Sequence, residues 1–445
     1  MVIINIKNVT SKIEGLNEIL KKELYEHLSY IESGFGIKPV KHNLFNMTNC
    51  TTYTGLIPHV IRILNKFKVQ YRINDMRIAP ESNANFTIQK EFVARDYQQK
   101  ILDNVSTRDI IQAATGAGKT FIMASLIAKI NVKPVVVIAP SVSLAIQIKE
   151  EFEKFLGIQI GICGGGYKLI DDITVSTPES IPDDVLKECK MILWDEFHVA
   201  GAYTTWISGV KANNAFYRYG MSATPWRDDG KDILLEAITN VRKPHLSITA
   251  SDLIRKDKLT PCIINFIQYK DIIEWTGNYN SFYNKAIIHN DKRNNIIVNT
   301  ALTEFKNGKT TLILIKSITH GELIKQKLLQ NDELKGKVDF LFGSSSLDER
   351  ANMLQRVKNG ELKILIASTI ADQGLDLPIL DCLILAGGGR SSTRAFQRVG
   401  RVIRLYPGKT NAIVYDFKDM SPTLYKHYLY RRKLYEFEPE WKIND

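Results

Sequence analysis

Cysteine is scarce and scattered. The five residues Cys50, Cys163, Cys189, Cys262 and Cys382 form no C-x-x-C pair and have no histidine cluster beside them. That spacing argues against a zinc or iron–sulfur site and against a disulfide framework, and it fits a reducing cytoplasm. Long apolar runs are missing too: none approaches the roughly 20 residues that span a bilayer, so no membrane partner is expected. The start, Met1-Val2-Ile3-Ile4-Asn5-Ile6-Lys7, has neither the charged lead nor the long apolar stretch of a secretory leader. Short-period repeats, low-complexity tracts and coiled-coil heptads are absent, which excludes solenoids and fibrous folds.

What the chain does have is length and positive charge. Its 445 residues leave room for two or three domains, and 44% hydrophobic with 24% charged content is ordinary for globular protein. Fifty-nine Lys+Arg against 48 Asp+Glu give a formal charge of +11, which favours a polyanionic partner. The first 90 residues hold 12 Lys+Arg and 7 Asp+Glu, about half of that excess in a fifth of the chain.

Residues 1–85 are expected to form a small, basic α+β domain, and its charge and its position ahead of the motor make it the expected duplex- or branch-DNA-binding module. Apolar residues at helical spacing run from Ile13 to Tyr30, with β-like runs at Val2–Ile6 and Val69–Ile73, and the polar stretch Pro80–Asn85 reads as a linker. From Phe92 buried strands and helices alternate. The runs at Asp109–Ala113, Pro134–Ala139, Ile173–Ser176, Met191–Trp194 and Tyr217–Met221 predict one parallel sheet; Thr311–Ile315, Lys337–Phe342, Lys363–Ala367, Cys382–Ala386 and Ala412–Asp416 predict a second. The fold class is therefore α/β, two tandem doubly wound parallel-sheet domains (86–245 and 246–445) behind the small N-terminal one.

The stretch Ala113-Ala114-Thr115-Gly116-Ala117-Gly118-Lys119-Thr120 follows a predicted strand and opens a predicted helix. In that context backbone N–H groups can wrap phosphate oxygens, Lys119 can neutralise the β/γ charge, and Thr120 can bind Mg²⁺. Ala113 stands where glycine is usual. After another strand come Asp195-Glu196-Phe197-His198: Asp195 suits a Mg²⁺ held partly through water, and Glu196 suits activation of the attacking water. Together these predict an ATP- and Mg²⁺-dependent phosphohydrolase.

With Ser222-Ala223-Thr224-Pro225 and Gln397-Arg398-Val399-Gly400-Arg401-Val402-Ile403-Arg404 downstream, residues 90–417 resemble a superfamily two helicase of the DExH type. The resemblance implies two RecA-like domains, ATP in the cleft between them, and a nucleic-acid strand across the top. It implies adenine recognition by Arg95 and Gln98, coupling through His198, Ser222 and Thr224, arginine fingers at Arg401 and Arg404, and a γ-phosphate contact from Gln397. Gly374 and Asp376, in Ala371-Asp372-Gln373-Gly374-Leu375-Asp376, resemble a further nucleotide-linked motif. The same resemblance makes Pro140, Ser141, Ser176, Thr177, Pro178, Lys316, Ser317, Gly343, Ser368 and Thr369 candidate contacts to a nucleic-acid backbone, where hydroxyls and N–H groups grip phosphates without reading bases. Asn290-Asp291-Lys292-Arg293-Asn294 and Gly387-Gly388-Gly389-Arg390 resemble the phage UvsW-type recombination helicases and, more distantly, the RecG and XPB groups. The aromatics Tyr269, Trp275, Tyr279, Phe282 and Tyr283 are expected to pack against the motor rather than stack on bases.

The implied function is an ATP-dependent DNA helicase or translocase on branched or forked DNA, in recombination, repair or replication. It would act as a monomer in the cytoplasm, the host's if phage-encoded. An RNA helicase, the motor subunit of a restriction system and a non-catalytic scaffold are the alternatives. No stretch after residue 417 reads as a nuclease, and a dead motor has no need of Lys119, Glu196, Arg401 and Arg404 together.

Overall fold

The computed structural model describes residues 1–34, 37–198, 203–224, 230–241, 243–274, 278–368, 377–389 and 398–445. They fall into two units, Met1–Ile248 and Thr249–Asp445.

Unit one contains two principal sheets. The smaller runs Phe45–Asn46, Thr51–Tyr53, Thr10–Glu14, Val2–Ile6, Tyr71–Asp75, antiparallel except for the last pair, where Val2 lies opposite Tyr71 in parallel register. Val2, Ile4 and Ile6 point to one buried face. Leu20 and Leu24 from the helix Glu18–His27, and Val60, Ile63 and Leu64 from Ile57–Lys66, close the same core. The helix is shorter than the pattern from Ile13 to Tyr30 predicts. Thr10–Glu14 alternates exposed and buried with period two and joins the sheet, and Gly15 (φ +82°) turns the chain. Asn17 then caps the helix by accepting from the Leu20 N–H. Past its end, Ser29–Gly34 pairs with Ile37–Asn43 as a hairpin.

The larger sheet has the order Tyr167–Leu169, Gly161–Gly164, Ile173–Ser176, Val135–Ile138, Met191–Trp194, Tyr217–Ser222, Arg108–Ala113, Ser247–Ile248. Only the pairing of the first two strands is antiparallel. The central strands Val135–Ile138, Ile173–Ser176 and Met191–Trp194 are buried end to end, the mark of a sheet covered on both faces, whereas the edge strand Tyr167–Leu169 is exposed. The small N-terminal sheet shares core with this motor fold. Leu234 and Ala237, on the helix Asp232–Ile238, belong to the cluster that holds Leu56, Ile57 and Val60. Tyr53 meets Trp206 edge to face, and the His59 ring nitrogen Nε2 lies 2.6 Å from Glu236 Oε2. The stretch from Pro80 to Asn85 has no regular structure; Ser82 donates to the Asn131 carbonyl, and Phe86 N–H donates to the Asn131 side chain.

Unit two is a seven-stranded sheet, parallel throughout, in the order Val338–Leu341, Ile364–Ser368, Thr311–Ile315, Cys382–Leu385, Ala412–Asp419, Cys262–Tyr269, Trp441–Asn444. The strands Cys262–Tyr269 and Trp441–Asn444 extend the sheet beyond the five predicted runs. Both unit sheets are RecA-like in their parallel α/β build. No helix among the described residues is long and apolar enough to cross a membrane.

At Gly55 the backbone of the N-terminal domain lies tight against the motor fold: an added Cβ would stand 1.8 Å from the Glu236 carbonyl oxygen. Gly55→Ala is expected to lower stability by about 2 kcal/mol or more, as overpacking does. Calorimetry of the intact chain checks this as a melting point several degrees lower.

Candidate active site

Three neighbouring strands of unit one deliver the predicted residues to one edge. Arg108–Ala113 runs beside Tyr217–Ser222, with Gln112 opposite Ser222, and Tyr217–Ser222 runs beside Met191–Trp194, with Gly220 opposite Trp194. All three are parallel, so their C-terminal ends coincide, where ligand groups belong in an open α/β sheet.

Ala113 is fully buried at the end of its strand, so its methyl packs into the core where glycine is customary. The chain then turns: the Ala117 N–H donates to the Ala114 carbonyl, and Gly116 (φ +88°) and Gly118 (φ +78°) take left-handed backbone. The helix Lys119–Ile130 follows, presenting its first N–H groups toward the loop. Gln98 braces this loop from below. Its Oε1 accepts from Arg95 N–H at 2.9 Å and its Nε2 donates to the Ala117 carbonyl at 2.9 Å, while the Tyr97 hydroxyl donates to the same carbonyl at 3.3 Å. Both ends of the amide expected to read adenine are thus used within the protein in this conformation. A Cβ at Gly118 would meet Gln98 Nε2 at 2.6 Å, a second reason for glycine there.

Lys119 Nζ lies 2.7 Å from Glu196 Oε1. Glu196 has left-handed backbone (φ +46°), strained for a side chain with a Cβ, as residues at working sites often are. Its other oxygen is 3.5 Å from His198 Nδ1, and that same nitrogen is 2.9 Å from Ser222 Oγ. Ser222 Oγ in turn accepts the Thr224 N–H at 3.1 Å. One continuous polar chain therefore runs from the lysine to Thr224. Phe197, between the acidic pair and His198, is fully buried against Trp194, and a Cβ at Gly220 would collide with its ring at 2.2 Å. The ring pins the Asp-Glu turn onto the sheet. Sequence reading missed this pairing because Phe197 and Gly220 are distant in the chain.

The Asp195 carboxyl is pushed up to about 6 by burial, with Glu196 adding to the rise and Lys119 opposing it. A half-buried carboxylate held in no ion pair among the described residues suits a divalent cation, and Thr120 stands on the first turn of the adjoining helix. Among the described residues no group of three or more His, Cys, Asp or Glu is placed to hold a metal.

In unit two, Arg398, Arg401 and Arg404 alternate with the buried Val399, Val402 and Ile403 on a short helical turn. Thr260 ties down the end of this turn: its N–H donates to the Ile403 carbonyl at 2.7 Å and its hydroxyl to the Arg404 carbonyl at 3.2 Å. Lys409 Nζ donates to the carbonyls of Val402, Pro378 and Leu380. Gln397, Thr369, Gly374 and Asp376 lie outside the described residues.

Residues 91–227 match the family described as "Type III restriction enzyme, res subunit", and residues 291–406 match "Helicase conserved C-terminal domain". This chain is a superfamily two helicase. It is similar to the DNA 3'-5' translocase XPB2 of Sulfurisphaera tokodaii, 25% identical over 361 residues, covering 71% of this chain and 80% of that protein. It is also similar to the ATP-dependent DNA helicase uvsW of Enterobacteria phage T4, 27% identical over 342 residues, covering 71% of this chain and 66% of that protein. Its fold is shared with a fragment described as an HsdR subunit of a type I restriction enzyme from Vibrio vulnificus (TM-score 0.61, 17% identity, 98% of this chain and 84% of that one).

The helicase places its candidate backbone-gripping residues unevenly. Ser141 caps the helix Val142–Leu156, accepting from Leu144 N–H, next to the half-buried Pro140. Ser176 departs from expectation: it is fully buried, and its hydroxyl donates to the carbonyls of Cys163 and Thr177, so it is a strut and not a surface contact. Thr177 is nearly buried, bonded to Ser180, and Pro178 is half-buried. Lys316 and Gly343 are exposed, Ser317 begins the helix Ile318–Leu328 without capping it, and Ser368 is buried.

The two segments that resemble recombination helicases meet in the fold. Arg293 is fully buried, paired to Asp419 at 2.9 Å, and donates to the Ala386 carbonyl at 2.7 Å. Tyr283 hydroxyl donates to the Gly387 carbonyl at 2.6 Å, and Arg431, paired to Asp416, donates to the Gly389 carbonyl at 2.7 Å. Three donors hold the start of the Gly387-Gly388-Gly389 run. Tyr269, Phe282 and Tyr283 are buried, as packing aromatics should be; Trp275 lies outside the described residues.

Burial holds the Asp195 acid form above its ordinary 3.8, so the nucleotide-free fold loses stability as pH climbs from about 4 to 6 and stays penalised above that. Asp195→Asn is expected to be more stable than the parent at pH 7 without Mg²⁺, by on the order of 2–3 kcal/mol, and level with it near pH 4. Thermal melts of both proteins across that range check it.

Proposed function

We propose that this helicase is an ATP-driven DNA motor that remodels branched or forked duplexes. The observation that carries the reading is the polar chain Lys119–Glu196–His198–Ser222–Thr224 beside the half-buried Asp195, at one sheet edge of a superfamily two helicase. The similarity to a DNA translocase and to a phage DNA helicase supports DNA as the polymer, and the excess of positive charge supports a polyanion.

In this reading Lys119 leaves Glu196 for the β- and γ-phosphate oxygens of ATP, and Glu196, released, orients and deprotonates the attacking water. Asp195 and Thr120 would hold Mg²⁺, which supplies positive charge against the developing negative charge on the phosphates. Loss of the Lys119 contact frees Glu196 to bond His198 more closely, so the state of the nucleotide is read at Ser222 and Thr224. Arg401 and Arg404 are assigned as the fingers that neutralise transition-state charge from the second RecA-like domain. Their turn is anchored by Thr260 and Lys409, which fixes its backbone.

Lys119→Ala and Glu196→Gln are each expected to cut ATP turnover by about 10³-fold or more, and Arg401→Ala by a similar factor. Glu196→Gln should still bind nucleotide. Steady-state hydrolysis and nucleotide binding check all three. For the substrate, ATP hydrolysis and strand displacement are read on fork, four-way junction, plain duplex, single-stranded DNA and structured RNA. Forked and four-way DNA are expected to stimulate most; strongest stimulation by RNA overturns the assignment.

A further inference from the structure

The sheet edge opposite the ATP site carries a cleft of about 560 Å³ between the N-terminal domain and the motor fold. The three strands that end at the ATP site begin here. Lys190 directly precedes Met191–Trp194, Asn213 and Asn214 precede Tyr217–Ser222, and Arg108 opens Arg108–Ala113. The N-terminal domain supplies the other wall, with Lys7, Asn8 and Arg77. Among the described residues this lining has no carboxylate and no aromatic ring. A second cleft of about 400 Å³ shares Lys7 with it and continues past Lys12 and Asn74; its one acid, Glu14, is already paired with Lys12 at 3.0 Å.

Positive charge behind the cleft is under-compensated. Arg108 is buried, touches the lining residue Asn8 only at 3.5 Å, and its Nε has no hydrogen-bond partner among the described residues. Burial, together with the cations Arg218 and Arg77, pushes its guanidinium well below its ordinary value. Asp75 is the one anion acting against that, and Arg77 already grips it through two bonds of 2.9 and 2.7 Å. Beside the apolar Val9, Met76, Ile78 and Pro80, the space in front is lined by the cations Lys7, Arg77 and Lys190, the amides of Asn8, Asn213 and Asn214 and the Thr10 hydroxyl, a set of charge and donors that suits anions. Because two clefts join, the ligand is extended rather than a single small anion. Because no ring lines either cleft, unpaired bases find no stacking platform, whereas a duplex backbone needs only charge and donors.

We propose that this groove grips the phosphate backbone of a duplex arm of the DNA on which the motor acts. The inference rests on the reading of the helicase as a DNA motor and deepens it. A six-residue strand spans about 20 Å, so a second arm would be held at that distance from the phosphate loop, on the far end of the same strands. The N-terminal domain is then one wall of a binding site shared with the motor fold.

The test uses the full chain with Lys7→Glu/Lys190→Glu, and separately Asn213→Asp/Asn214→Asp, none of which touches the ATP site. Fluorescence anisotropy over a salt series gives Kd for blunt duplex, forked DNA and a single-stranded oligonucleotide; melting point and DNA-free ATP hydrolysis serve as controls. Duplex and fork Kd should rise by about 10-fold or more, with the salt slope flattened by about 2 in the lysine pair, while single-strand binding stays within about twofold. Unchanged duplex Kd and slope overturn the groove, as does equal loss on single strands. A charge-reversed protein with a lowered melting point is replaced by Lys7→Gln/Lys190→Gln, on which the slope alone decides. If no DNA accelerates ATP hydrolysis by the parent protein, the motor reading fails, whereas the groove stands or falls on direct duplex binding.

Discussion

A parallel strand has two unlike ends, and three adjacent strands of unit one are in register at both. Gln112 lies opposite Ser222 and Trp194 opposite Gly220, so the residues that follow each strand emerge side by side. A one-residue slip would exchange the side chains that pack on the two covered faces and separate the strand ends, so the register fixes which residues meet there. From that constraint follow the lysine loop, the acidic pair and the Ser222–Thr224 segment at one edge. The converging starts of the same strands at the opposite edge follow from it as well.

Within the active edge the polar groups are held in a poised arrangement. Lys119 and Glu196 satisfy each other, so neither charge is left alone in a half-buried place, where an unpaired ion is costly. Asp195 has no such relief, and its raised acid range records that. The left-handed backbone at Glu196 and the buried Phe197 ring under it hold the two carboxylates in one tight turn. Unit two uses buried charge differently. The Arg293–Asp419 and Arg431–Asp416 pairs are buried, and each arginine gives a further donor to a backbone carbonyl at this loop, Arg293 to Ala386 just before the glycine run and Arg431 to Gly389 within it. These pairs serve to fix one loop, a more specific role than adding stability, for which buried ion pairs are weak contributors.

Much of this was legible along the chain because it is local. The glycine spacing at Gly116 and Gly118, the strand before it and the helix after it are properties of eight consecutive residues. So is the apolar run that places Asp195 at a strand end. The central strands were recognisable within a residue or two because strands buried on both faces are continuous apolar runs. The N-terminal domain was harder: period-two alternation in Thr10–Glu14 abuts the helix and was absorbed into its pattern. Ser176 misled because a hydroxyl at a strand end looks the same whether it faces solvent or donates inward to Cys163.

By itself, then, the sequence determined that there are two parallel α/β domains of a helicase, and it singled out the side chains of the first that are proposed to meet a triphosphate and Mg²⁺. Each of those follows from short-range pattern, since backbone period and motif spacing are written in neighbouring residues. Only the tertiary structure decided what lies between distant stretches. It set Phe197 against Gly220, spent the Gln98 amide on the phosphate loop, brought Arg293 to the glycine run, and closed a basic groove between the N-terminal domain and the strand starts. Those contacts depend on packing between residues tens to hundreds of positions apart, and no local spacing encodes them.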